Sequence, residues 1–182
     1  MRNTIIFIHN IILLIFIILL QIFFVSAADV TSCTNVTSAG YYQLTAPINS
    51  SGSCINISAS DVTLDCNGNT ILYGLGGSNG GNGVHAISQR SYQNITIKNC
   101  VIMKPASNGT TAYGIRILSV NSSLISNNTI NTNGTSDNYG IYFVGNITQA
   151  TVLQNNINAI GSTTNNFGIY AATGLNGSLI AN

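Results

Sequence analysis

Residues 122–130 read SSLISNNTI. Leu124, Ile125 and Ile130 bracket Asn127 and Asn128, and asparagine is a strong turn former. Because Asn127-Asn128-Thr129 is also an N-glycosylation sequon, the stretch reads either as a glycosylated loop or as one coil of a repeat. Its relatives along the chain decide. Ile95-Thr96-Ile97-Lys98-Asn99-Cys100-Val101-Ile102 aligns with Ser123-Leu124-Ile125-Ser126-Asn127-Asn128-Thr129-Ile130. It aligns again with Thr151-Val152-Leu153-Gln154-Asn155-Asn156-Ile157 and with Ser178-Leu179-Ile180-Ala181-Asn182. A marker asparagine therefore recurs at Asn99, Asn127, Asn155 and Asn182, at intervals of 28, 28 and 27 residues. Val62-Thr63-Leu64-Asp65-Cys66-Asn67 is an earlier copy at a longer step.

A second motif holds the same phase. Gly83-Val84-His85, Gly114-Ile115-Arg116, Gly140-Ile141-Tyr142 and Gly168-Ile169-Tyr170 precede the next marker asparagine by 16, 13, 15 and 14 residues. The segments are too short for helices, rich in Ile, Val, Thr and Tyr, and punctuated by Asn, Gly and Ser. Strands of this kind cannot bury an apolar face alone but can do so stacked on their own copies. The pattern predicts an all-β parallel β-helix, a solenoid with coils of about 26–31 residues spaced about 4.8 Å apart. The longer step falls in the glycine-rich residues 74–82, which can bulge without disturbing the stack.

Stacking turns alignment columns into neighbours. Val84, Ile115, Ile141 and Ile169 form one expected inward ladder, and Leu64, Ile97, Ile125, Leu153 and Ile180 another. Leu124, Val152 and Leu179 are apolar too, which leaves open which of two adjacent columns faces the core. Asn99, Asn127, Asn155 and Asn182 are expected to stack at a bend, since asparagine tolerates left-handed backbone angles and bonds its like along a stack. On that reading the Asn127 sequon carries no sugar.

Residues 1–28 differ from the rest. Arg2 gives a weakly positive start, residues 11–20 are unbroken apolar, and Val25-Ser26-Ala27-Ala28 suits signal peptidase. They read as a secretory signal cut after Ala27 or Ala28, or as an uncleaved membrane anchor, since residues 5–25 are long enough to span a bilayer. Residues 29–60 are then an N-terminal cap region and 61–182 the coils. The last marker, Asn182, falls part-way through a coil, so a longer protein is expected, with further coils or an anchor beyond.

Only 5% of residues are charged, and Glu is absent. After loss of the signal, Arg90, Lys98, Lys104 and Arg116 balance Asp29, Asp61, Asp65 and Asp137. That leaves no electrostatic footprint for nucleic acid or anionic lipid, and solubility falls to amides and hydroxyls, of which the full sequence has 26 Asn and 37 Ser plus Thr. Export would let the four cysteines pair. Of three possible connectivities, Cys33 with Cys54 is favoured and Cys66 with Cys100 follows, with two stacked buried thiols the alternative at the second pair.

The phrases Tyr113-Gly114-Ile115, Tyr139-Gly140-Ile141 and Asn127-Asn128-Thr129-Ile130 resemble the right-handed parallel β-helix repeat family. That superfamily holds pectate lyases, polygalacturonases and the NosD-like periplasmic copper-maturation proteins. The likeness covers residues 60–182, and residues 54–68 look like the entry to the helix in secreted proteins of this kind. It implies a fold more than a function, because many activities use the scaffold.

Lyase or hydrolase chemistry on such a scaffold needs clustered carboxylates, calcium ligands or a basic residue. Asp61 and Asp65 lie in the first coil and Asp137 in a later loop, without paired aspartates. Gly114-Ile115-Arg116-Ile117 is faintly similar to the polygalacturonase basic motif, with Leu118 where a lysine would stand. Asp65 and Lys98 share a column on adjacent coils, as a structural ion pair would. His85 and Met103 are the only residues of their kinds after the signal, too few for a soft-metal cluster. No catalytic residue, metal ligand or cofactor site is read here.

The column two residues after each glycine, His85, Arg116, Tyr142 and Tyr170, should point outward. It is either a surface that stacks on sugars or simply good strand residues stacking on one another. If it binds glycan, Tyr142→Ala with Tyr170→Ala should abolish retention and leave unfolding nearly unchanged. Ten sequons occur, at Asn35, Asn49, Asn56, Asn94, Asn108, Asn121, Asn127, Asn133, Asn146 and Asn176, and loop sites such as Asn108 and Asn133 are the expected acceptors. The function expected is a secreted or cell-surface β-helix module with structural or glycan-interaction roles. Its partners would be polysaccharide or cell-surface glycans, with membrane contact only through an N-terminal segment or an anchor beyond residue 182. The alternative is part of a polysaccharide lyase or glycoside hydrolase whose catalytic residues lie beyond residue 182. A NosD-like role ranks last.

Overall fold

The computed structural model describes residues 27–76, 82–105 and 111–181, with backbone alone over 82–91. Of the segment read as signal or anchor, residues 1–26 lie outside the described residues, as does Asn182, while Ala28 opens the strand Ala28–Val30. Every strand pairing described is parallel. The strands stack as a β-solenoid of about 4 turns, as the repeat predicts. Among the described residues two sheets result, one of 13 strands and one of 5.

One coil shows the plan. The strand Ala112–Ser126 supplies two faces, with left-handed Ser119 and Ser122 at the corner between them. Asn127 turns the chain at φ 54°, and Thr129–Gly134 forms the third face. The strand Asn138–Val144 then begins the next coil directly beside Ala112–Leu118. Earlier strands, from Ala28–Val30 onward, pair in the same parallel manner.

Three aliphatic columns stand in register along the coils. Ile55, Val84, Ile115, Ile141 and Ile169 lie in register on the first face. On the second face the register runs Leu64, Ile97, Ile125, Val152, Ile180. Ile48, Ile71, Ile102, Ile130 and Ile157 stack on the third. Leu64, Ile71, Ile97, Ile102, Ile115, Ile130 and Ile141 lose all solvent contact, each burial favouring the fold by about 1.5–3 kcal/mol.

The second column corrects the sequence alignment. Val152, not Leu153, stands beneath Ile125, because the coil from Ile125 to Val152 is 27 residues long and not 28. Leu124 and Leu179 consequently point outward, and Leu179 is exposed. The slip moves the amide ladder by one residue. Asn128, buried, stands over Asn155, while Asn127 is exposed in the column Asn99, Asn127, Gln154. All three of those turn residues, and Asn67 before them, hold left-handed φ between 49° and 54°.

The buried pair bonds in every direction the corner requires. Asn155 Oδ1 accepts from the Asn128 backbone N–H at 3.0 Å and from Asn128 Nδ2 at 2.9 Å. Asn155 Nδ2 donates to the carbonyls of Ile125 and Leu153, both at 2.9 Å. Asn128 Oδ1 in turn accepts from the Cys100 N–H at 2.9 Å, and its Nδ2 donates to the Ile97 carbonyl at 3.1 Å. Between strands the backbone loses its ladder partners, and a buried N–H or C=O left bare there would cost about 1–3 kcal/mol. In the earlier coils the Cys66–Cys100 disulfide holds the same corner, with a Cα–Cα separation of 4.7 Å. Cys33–Cys54 is the second disulfide.

Candidate functional site: an aromatic ridge

The repeated Tyr-Gly-Ile-Tyr phrase makes a ridge because of what its glycine does. Along Asn138–Val144 the residues Asn138, Gly140, Ile141 and Phe143 are buried, whereas Tyr139, Tyr142 and Val144 are partly exposed. Two successive inward positions, Gly140 and Ile141, break the strict alternation of a strand. Tyr139 and Tyr142, three apart, therefore emerge on one surface. The same happens at Gly114 and Ile115, which brings out Tyr113 and Arg116. Only glycine fits inside this bend. A Cβ on Gly140 would come within 2.1 Å of Ile157 Cγ2 and 2.6 Å of the Gly168 carbonyl oxygen.

Stacking the coils gives two adjoining rows. Tyr113, Tyr139 and Phe167 form one, and Arg116, Tyr142 and Tyr170 the other. Tyr113 and Tyr139 are stacked at 5.5 Å, Tyr139 and Phe167 at 6.0 Å, and Tyr142 and Tyr170 at 5.7 Å with planes 3° apart. Tilted contacts of 4.9–5.3 Å knit the rows together. Rings lying side by side in the sheet plane could not approach so closely without overlapping hydrogens, so the pairs are offset face toward face. Each ring thus sets part of its face against a neighbour in the ridge, while Phe167 and Tyr170 stay exposed. Arg116 caps one end, its Cζ 5.5 Å from the Tyr113 centroid. Burial, helped by nearby Tyr142, raises the Tyr113 pKa, and burial with nearby Asp137 raises that of Tyr139.

His85 lies in register between Asn56 and Arg116, so the backbone keeps the column read from sequence, while the His85 side chain is outside the described residues. Tyr113, Tyr139 and Phe167 were missed as site residues. Their signal was the recurring aromatic before each glycine, which strict alternation would assign to the inner face.

The carboxylates occupy different ground. Asp65 meets Lys98 Nζ at 3.2 Å across adjacent coils and accepts from Tyr41 Oη at 2.6 Å. It also accepts from Asn99 Nδ2 at 3.0 Å and the Asn67 N–H at 2.9 Å. Partial burial pushes its pKa up, but the hydrogen bonds from Tyr41, Asn99, Asn67 and Lys98 outweigh that and lower it to about 2. Asp61 and Asp137 sit at left-handed corners, each accepting from the asparagine one coil on, Asn94 at 2.7 Å and Asn165 at 2.9 Å. Asp and Asn are the side chains that best tolerate such corners. Among the described residues no three His, Cys, Asp or Glu gather closely enough to hold a metal.

Comparison with known proteins finds no matching family model, no matching curated protein and no matching solved structure.

Proposed function

We propose that the chain is a cell-exterior β-helix module with a structural role, and that it meets glycans along the ridge of Tyr113, Tyr139, Tyr142, Phe167, Tyr170 and Arg116. The observation that carries the reading is the double row of stacked rings with Arg116 at one end. A row of phenolic hydroxyls with a guanidinium at its end supplies donors and acceptors suited to sugar hydroxyls, on a backbone held rigid by neighbouring coils. The two disulfides are compatible with an oxidising, extracellular setting.

Stacking changes the experiment that separates glycan binding from a purely structural ridge. Tyr142→Ala with Tyr170→Ala would remove a stacked pair worth about 0.5–1.5 kcal/mol beyond its buried area, so unfolding would shift whether or not sugar binds. Tyr142→Phe with Tyr170→Phe keeps the rings and deletes only the hydroxyls. Affinity electrophoresis through gels of soluble polysaccharides should show retardation for the parent and its loss in the Phe variant, at an unchanged unfolding midpoint. Equal mobility with and without polysaccharide for the parent protein removes the glycan reading and leaves the structural one.

A further inference from the structure

We infer that Asn127 is an acceptor for an N-linked glycan, and that the register slip is what makes it one. In the sequon Asn127-Asn128-Thr129 the middle residue carries the structural work. Asn128 is buried and bonded to Cys100, Ile97 and Asn155. Asn127 is exposed at the turn, and among the described residues its side-chain amide makes no hydrogen bond. Asn127 and Thr129 also line one shallow groove with Asn67 and Asn99. Both residues of the sequon that a glycosylating enzyme reads therefore border the same open groove.

Three other sequons fare differently, while Asn35, Asn49, Asn146 and Asn176 are exposed as Asn127 is. Asn94 Nδ2 is committed to Asp61 at 2.7 Å. Asn56 has its Oδ1 enclosed without a partner. Asn121 Oδ1 accepts from Thr148 Oγ1 at 2.9 Å within the stack. A sugar on any of these would have to displace coil-to-coil contacts, whereas a sugar on Asn127 displaces none.

The donor would be a lipid-pyrophosphate-linked oligosaccharide. The Asn127 amide nitrogen attacks the anomeric carbon, the C–N bond forms as the C–O bond to pyrophosphate breaks, the lipid pyrophosphate leaves, and the amide proton passes to a base of the transferase.

The stack supplies conservative controls. Gln154 holds the position of Asn127 one coil on at φ 53°, so Asn127→Gln fits the turn. Val101 stands opposite Thr129 in the neighbouring coil, so Thr129→Val fits the strand. The full chain is secreted from a eukaryotic cell line, treated with peptide N-glycosidase in ¹⁸O-water and mapped by mass spectrometry. Label is expected on Asn127 and absent from Asn56. Both variants should lose that one glycan while unfolding at the temperature of the deglycosylated parent. Secreted protein with Asn127 unlabelled, whether other sequons are occupied or bare, overturns the inference, as does retention of the glycan in Thr129→Val.

Discussion

Asp65 shows how much one side chain can do where charge is scarce. Its carboxylate accepts four hydrogen bonds or ion contacts that join three coils through Tyr41, Lys98 and Asn99. A folded-state pKa of about 2, below the ordinary 3.8, means that the unfolded chain binds the proton more readily. The stabilisation is therefore present above about pH 4 and fades as pH falls from about 4 to 2. Urea titrations at a series of pH values should show a loss of at most about 2 kcal/mol over that window, since Lys98 is partly open to solvent screening. Asp65→Asn should flatten that part of the profile. An equally steep profile in the variant would assign the acid sensitivity elsewhere.

At the scale of the element, the Gly-Ile bend sets both core and surface. It turns one strand's interior from Ala112 and Gly114 to Ile115 and Ile117 while bringing Tyr113 and Arg116 to the same outer side. The close approach of Gly140 to Ile157 and to the Gly168 backbone is the cost of that geometry. Gly140→Ala should lower stability by about 3 kcal/mol or more, because the obstruction is backbone and a packed isoleucine and not a yielding side-chain tip. Gly174, with nothing near its Cβ position, provides the comparison: Gly174→Ala should stay within about 0.5 kcal/mol of the parent. Thermal unfolding of both, read by circular dichroism, distinguishes them, and similar midpoints would remove the packing role given to Gly140.

Across the whole molecule, stability is close to a sum of neighbouring coil contacts, because each coil touches only those beside it. Both disulfides lie in the earlier coils, over sequence separations of 21 and 34 residues. The later corner is held by the Asn128–Asn155 amides instead. Reduction should therefore weaken the molecule unevenly. Each bond constrains its segment by about 3–4 kcal/mol on the chain-entropy model. Hydrogen exchange under reducing conditions should lose protection in Ile55–Ile57 and Val62–Asp65 before Asn138–Val144. Uniform loss along the chain would show a single cooperative unit instead.

Sequence alone determined that the chain is a parallel solenoid, where its coils repeat, and most of what fills them. Ile97, Ile125, Ile115 and Ile141 fell in columns because a repeated environment selects repeated side chains. The pairing of Asp65 with Lys98 was legible for the same reason. Tertiary structure alone decided the choice between Asn127 and Asn128 and between Val152 and Leu153. The doublets Asn127-Asn128 and Asn155-Asn156 align equally well by either residue, and Val152 and Leu153 are both apolar. Only the depth of the core and the backbone groups left at the corner separate them, and these exist once neighbouring coils are stacked. The ridge has the same origin: a strand read by itself alternates, whereas Gly140 and Ile141 are both buried, Gly140 where Ile157 and the Gly168 backbone leave no room for a Cβ, so that Tyr139 and Tyr142 emerge together.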